Sequence, residues 1–157
     1  MPAHYNLALL HDAANRAGAA EGELRKVIEL APTFSDGHYS LGLLLAADAS
    51  RMDEAAVALE TAASLAPERG RVLYNAGVAQ QTLGRVDRAE VLLRAALVQE
   101  PEEVDFVAGL MILYLQQDRR LEALPMARKL LELAPNDASA RALVRDLEGA
   151  APPPATH

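Results

Sequence analysis

The residues best able to do acid–base or metal chemistry are the histidines His4, His11, His38 and His157 and the carboxylate pairs Asp53-Glu54 and Glu102-Glu103. A metal site needs several ligands converging on one point, and these histidines are not spaced for that. The carboxylate pairs fall at expected helix starts, where negative charge complements the helix dipole. That role needs no catalysis. The chain has no Cys, which removes thiol nucleophiles, disulfides, thiolate zinc sites, iron–sulfur clusters and covalently attached haem. It also lacks the G-x-S-x-G, phosphate-loop and H-E-x-x-H patterns. The residues therefore point away from an enzyme, with no metal and no cofactor expected.

Charge narrows the partners. Fifteen Lys and Arg stand against 22 Asp and Glu, a net charge of -7. The acidity is even, -4 over residues 1–78 and -3 over 79–157. With no basic stripe to neutralise phosphates, no nucleic-acid partner is expected. No apolar run reaches the length of a membrane span, so no membrane insertion is expected. The opening Met1-Pro2-Ala3-His4 lacks a charged segment followed by an apolar core. A cytoplasmic location is the default expectation, or a periplasmic one if the segment is excised from a larger exported protein.

The elements behind these residues are helical. The 32 alanines and 26 leucines exceed a third of the 157 residues, and helix formers dominate over β-branched and aromatic types. Pro32, Pro67, Pro101 and Pro135 are spaced 35, 34 and 34 residues apart. Ala20, Ala55, Ala89 and Ala123 share that spacing, each twelve residues before its proline. Between them run apolar stripes at helical spacing: Leu24-Val27-Ile28, Leu59-Ala62-Ala63, Leu93-Ala96-Leu97 and Ala127-Leu130-Leu131. A second helix lies upstream of each, opening at Tyr5-Asn6-Leu7-Ala8, Tyr39-Ser40-Leu41-Gly42, Tyr74-Asn75-Ala76-Gly77 and Ala108-Gly109-Leu110-Met111.

This pattern resembles the tetratricopeptide repeat family over residues 1–149, in a bacterial-type array. The Leu-Gly pair of that family is complete only at Leu41-Gly42; Gly77 keeps the small residue, Ala8 approximates it and Met111 departs from it. The closing Ala and Pro are present in all four copies. The resemblance implies an all-α, right-handed α-solenoid of antiparallel helix pairs, with repeats at about 1–34, 35–69, 70–103 and 104–137 and a capping helix over 137–148. About nine helices are expected, at 3–16, 19–31, 36–47, 52–66, 70–83, 86–100, 103–117, 120–134 and 137–148. The second copy has one extra residue, which belongs in the turn around Ala47–Arg51, where it shifts no packed face. Gly18 and Gly84 are expected to break the chain between paired helices. Asn136 or Asp137 should cap the last helix. Pro125 should fall near the start of its helix and bend it slightly. The Pro-rich residues 150–157 should form an extended tail.

In such arrays the first helices line a concave surface that binds extended peptides or partner helices. Carried over by repeat position, the lining residues are Tyr5, Asn6, Leu9, Tyr39, Ser40, Leu43, Arg71, Tyr74, Asn75, Val78 and Ile112. They form a tyrosine ladder, a polar ladder of Asn6, Ser40 and Asn75, and an apolar ladder of Leu9, Leu43, Val78 and Ile112. Tyr offers broad apolar area and one hydroxyl, and Asn can bond both groups of an extended backbone. Ala108 and Gly109 are expected to leave room for a bulky ligand residue. The family's carboxylate clamp for chaperone tails needs two cations; Arg71 alone stands in its slots, so that ligand is disfavoured. Asp12, Asp36 and Asp105 flank the groove, which suggests a neutral or mildly basic protein partner. The function expected is a non-catalytic protein- or peptide-binding scaffold. The alternatives are an accessory segment of a larger bacterial enzyme or multihaem electron-transfer protein, and a self-assembly module forming a homo-oligomer.

Overall fold

A computed structural model describes residues 2–149. Among these residues nine α-helices follow one another without a strand: α1 Pro2–Ala13, α2 Ala17–Leu30, α3 Ser35–Ala46, α4 Met52–Leu65, α5 Gly70–Thr82, α6 Val86–Gln99, α7 Val104–Gln116, α8 Arg120–Leu133 and α9 Ala138–Gly149. The first eight pack as four consecutive pairs. Each second helix also packs on the first helix of the next pair, and α9 closes on α8. The result is an all-α solenoid. None of these helices is long and apolar enough to cross a membrane. The expectation for residues 150–157 lies outside the described residues.

Small residues set the crossings. Ala20, Ala55, Ala89 and Ala123 are fully buried. A Cβ on Gly42 would lie 2.6 Å from Leu59 Cγ, and one on Gly77 2.9 Å from Leu93 Cγ. Backbones this close leave no room for a side chain at those points. The four repeat prolines follow directly on the last residues bonded into α2, α4, α6 and α8, where Ala31, Ala66, Glu100 and Ala134 donate their amides back to the helix. Pro125 is inside α8, and the helix continues past it to Leu133. As its sixth residue, Pro125 removes one backbone hydrogen bond at most.

The turns correct one expectation. Gly18 lies inside α2. The left-handed position is taken by Asn15 (φ 54°), and its counterparts are Gly84 (φ 70°) and Asp118 (φ 55°). Asn and Asp tolerate this region better than other side chains. One residue past the left-handed position an amide reaches back to close each hairpin: Arg16 to His11, Arg85 to Gln80 and Arg119 to Tyr114, at 2.8, 2.9 and 2.9 Å. Repeat two solves the turn differently. Its additional residue is absorbed by a 3₁₀ turn, Ala49–Arg51, opened by Asp48, whose carboxylate accepts from the Ser50 amide at 2.9 Å.

α9 begins at an Asp137 cap, which accepts the amides of Ser139 and Ala140 at 2.8 and 3.2 Å. It buries Ala140, Val144 and Leu147 against the solenoid. Arg120–Asp146 and Arg128–Glu148 pairs, both at 2.7 Å, tie it to α8. Its remaining face carries the exposed Arg141 and Arg145.

Candidate binding groove

The first helices α1, α3, α5 and α7 carry the three ladders at matching positions. Leu9, Leu43 and Ile112 are 46%, 43% and 44% exposed, while Val78 is half-buried and touches the C-terminal part of the core. Four apolar side chains thus recur once per repeat, and three are more open to solvent than helix packing requires. Asn6 is exposed.

The tyrosines bridge repeats. Tyr5 Oη lies 3.2 Å from Ser40 Oγ, and Asn75 Nδ2 donates to Tyr39 Oη at 2.7 Å. The polar ladder therefore serves the tyrosine ladder, one repeat out of step. Tyr5 also meets Phe34 edge to face at 5.3 Å, and the Arg69 guanidinium lies 5.7 Å from the Tyr39 ring centre. The third rung differs. The counterpart of Ser40 and Asn75 in repeat four is Gly109, which has no side chain to bond Tyr74. The Tyr74 ring lies directly over it, so a Cβ on Gly109 would be 2.7 Å from Tyr74 Cε2. The ring stacks on Phe106 at 5.0 Å with an interplanar angle of 24°. The space expected over Ala108 and Gly109 is thus filled by the protein's own tyrosine. Burial, and then the nearby Asp105 carboxylate, push the Tyr74 hydroxyl above its usual pKa.

Arg71 is engaged by two carboxylates and two rings. It donates to Asp105 at 2.8 Å and to Glu103 at 3.0 Å, and its guanidinium lies 4.9 Å from the Phe106 ring centre and 5.5 Å from that of Tyr74. Asp36 is paired with Arg69. Two of the three acids expected to flank the groove are therefore neutralised, which removes most of the reason for a basic ligand. At the outer edge Gln81 donates to Gln116 at 2.7 Å, adding a polar rung between α5 and α7.

The three histidines among the described residues stay apart. His4 Nδ1 and Glu23 Oε2 meet at 2.5 Å, joining α1 to α2, and His38 Nε2 lies 2.8 Å from the Pro32 carbonyl. His11 Nδ1 is buried without a partner. Among the described residues no three His, Asp or Glu side chains are grouped as a metal site would require.

Two charged clusters are not foreseen from the sequence. Arg51 grips both oxygens of Glu21, at 2.7 and 2.9 Å, and also bonds Glu54. The Arg51 hydrogen bonds hold the Glu21 carboxyl down at about 2, with Arg25 contributing. Near the other end, the buried Tyr114 hydroxyl donates to Glu90 at 3.0 Å and accepts from Arg94 at 2.8 Å, while Arg119 also bonds Glu90. The available signal is an Arg in the inserted turn for the first, and a tyrosine in a largely apolar helix for the second. Neither reveals its partner some 20 to 30 residues away.

The comparisons agree with this architecture. No curated protein is significantly similar to the chain in sequence. Among solved structures, MamA from strain AMB-1 is 27% identical, with a TM-score of 0.77 over 90% of this chain and 76% of that one. A thermophilic tetratricopeptide repeat protein of Thermus thermophilus is 25% identical, with a TM-score of 0.67 over 93% and 80%. PilF of Pseudomonas aeruginosa is 24% identical, with a TM-score of 0.73 over 93% and 66%. Sequence models of the tetratricopeptide repeat match residues 2–34, 46–105 and 83–147. Those matches span the same helix pairs that the prolines, alanines and buried crossings mark out, and the chain belongs to the tetratricopeptide repeat family.

Proposed function

We propose that the groove lined by α1, α3, α5 and α7 binds an extended peptide or a helix of another protein and does no chemistry on it. The fold is that of a protein-interaction scaffold, and arrays of this family are typically non-catalytic. The observation that carries the reading is the apolar ladder Leu9, Leu43, Val78 and Ile112, one residue per repeat, with three of the four over 40% exposed. The ligand is uncharged where it crosses the ladder, because Asp36 and Asp105 already hold Arg69 and Arg71. Asn6, exposed at one end, and the Tyr74 hydroxyl, without a hydrogen-bonding partner at the other, supply polar contacts. Residues 1–149 act as one binding unit of four repeats and a cap.

The test is a neutral peptide array probed with the wild type and with a Leu43→Asp, Ile112→Asp double variant. Both positions are exposed, so the variant should keep its helical content. Binding to the best peptides should weaken about tenfold or more, each tenfold being 1.4 kcal/mol. Unchanged affinity in the folded variant would overturn the assignment.

A further inference from the structure

The opposite side of the solenoid, formed by the second helices, carries two cavities that the groove does not use. The first, about 650 Å³, lies between α2 and α4 over α3; Arg25, Ile28, Leu41, Leu45, Val57 and Ala58 contribute to its lining. The second, about 520 Å³, lies between α6 and α8 over α7, and its lining includes Arg94, Leu97, Leu110, Tyr114, Pro125 and Met126. These are the same site two repeats apart: Arg25 matches Arg94, Ile28 matches Leu97, Leu41 matches Leu110, Leu45 matches Tyr114, Val57 matches Pro125 and Ala58 matches Met126.

The interface between them explains why the first is open. There the counterpart of Ala58 is Leu92, 6% exposed within the central core. The walls facing it are small, Ala63 and Ala76 in place of Ile28 and Leu41. Small walls with a large filler close the middle site. Large walls with the small filler Ala58 leave the first with a gap the protein does not fill, an arrangement that forfeits contact energy unless something enters. Exposed apolar side chains flank both gaps: Leu30 and Val57 (61% and 64%) on the helices beside the first, Val98 and Leu121 (75% and 64%) beside the second.

We propose that these two cavities form one bipartite docking surface for an amphipathic helix of a partner protein, with an apolar anchor in each. A helix satisfies its own backbone, whereas an extended chain would need hydrogen-bonding partners. The rims offer few, since Arg25 is held by Glu21 and Glu54 and Asp53 by Arg85. α2 and α4, like α6 and α8, pack little on each other, so the cavities lie further apart than two spacings of packed helices, about 16–20 Å. Eighteen residues of α-helix make five turns, rise about 27 Å and return to the same face. Charge sets the direction. In the first cavity Glu54 is held by Arg25 and Arg51 and Asp53 by Arg85, which leaves Glu29 as the lining carboxylate with no ion pair among the described residues; in the second Arg94 is held by Glu90 and Glu122 by Arg119. The partner's basic end therefore sits over the first.

The probe is a labelled helix-forming peptide with two leucines eighteen positions apart and lysines around the first, followed by fluorescence anisotropy on the full chain. It should bind, and the same peptide with both leucines replaced by alanine should not. Ala58→Leu, which installs the filler of the middle interface, should weaken binding about tenfold or more. Val57→Asp, on an exposed residue that cannot unfold the core, should do the same, while Leu43→Asp on the other face should leave it unchanged. Absence of binding, equal binding of the alanine control, or indifference to both Ala58→Leu and Val57→Asp would overturn the proposal. Loss of binding in Leu43→Asp would move the peptide to the first-helix groove and overturn it too. Self-association of the chain abolished by Ala58→Leu would give the cavity to a second copy, with the same consequence.

Discussion

The rungs between repeats one and two, and two and three, contrast with the rung between three and four. In the first two a tyrosine hydroxyl meets a side chain one repeat on, Tyr5 with Ser40 and Tyr39 with Asn75. In the third, Tyr74 meets a glycine and lays its ring on Gly109 and Phe106. One residue type at one repeat position thus does two jobs. The choice is made by the neighbour some 35 residues away. Where that neighbour offers an oxygen or amide, the tyrosine stands up to bond it. Where it offers nothing, the ring collapses onto the backbone, and the Arg71 guanidinium sits close to both rings.

The largest effect that could break this contrast is expected from Tyr74→Ala. It removes the stack on Phe106 and the cation–π contact with Arg71, and should cost about 3 kcal/mol in chemical denaturation. A cost below that of removing one hydrogen bond would mean the third rung is not a packed one. Next comes Gly109→Ser, which supplies the missing polar side chain but drives its Cβ into the Tyr74 ring. Overpacking should cost about 2 kcal/mol; a stabilised variant would show that the ring swings out and bonds as its counterparts do. The pair Tyr39→Phe and Tyr74→Phe then separates the two regions directly. The first loses a bond to Asn75 and should cost about 1 kcal/mol, the second less than about 0.5 kcal/mol. Equal melting shifts would erase the distinction.

The smallest effect is a pH dependence. The Glu21 carboxyl is held at about 2 by its hydrogen bonds to Arg51 and by Arg25. A depressed carboxylate contributes stability that is present above its unfolded value, near 4.5, and is lost as pH falls from there toward 2. Glu21→Gln should therefore lower stability at neutral pH and flatten the acid limb of a pH–stability curve. Parallel curves for variant and wild type between pH 5 and 2 would show that the pair carries no such linkage.

Much of the fold is legible because the repeat imposes its own period. Each closing proline and each crossing alanine fixes the phase of the next, and the expected helix ends lie within three residues of those observed. Gly18 misleads because a glycine near a turn suggests the left-handed residue, while Asn15 supplies that conformation. The groove is legible as positions and not as states. Repeat position locates the tyrosines, the polar ladder and the exposed leucines. It does not say that the first two ladders satisfy each other, that Arg71 is occupied, or that Tyr74 fills the space above Gly109.

Composition and period by themselves determined a chain of helices in four repeating pairs with small residues at fixed positions; the solenoid, its cap and the lining of its first helices were what the resemblance to the repeat family implied. The helices and their repeat depend on chain-local spacing: 3.6 residues per turn within a helix, and 34 or 35 per repeat. Tertiary structure alone decided which polar groups remain free, which carboxylates are neutralised and which cavity is filled. Those outcomes turn on pairs such as Tyr39 with Asn75, Asp105 with Arg71, and Leu92 with Ala63 and Ala76. A pattern can put two such residues on facing helices, but an interaction that works over a few ångströms is settled only by the packed chain.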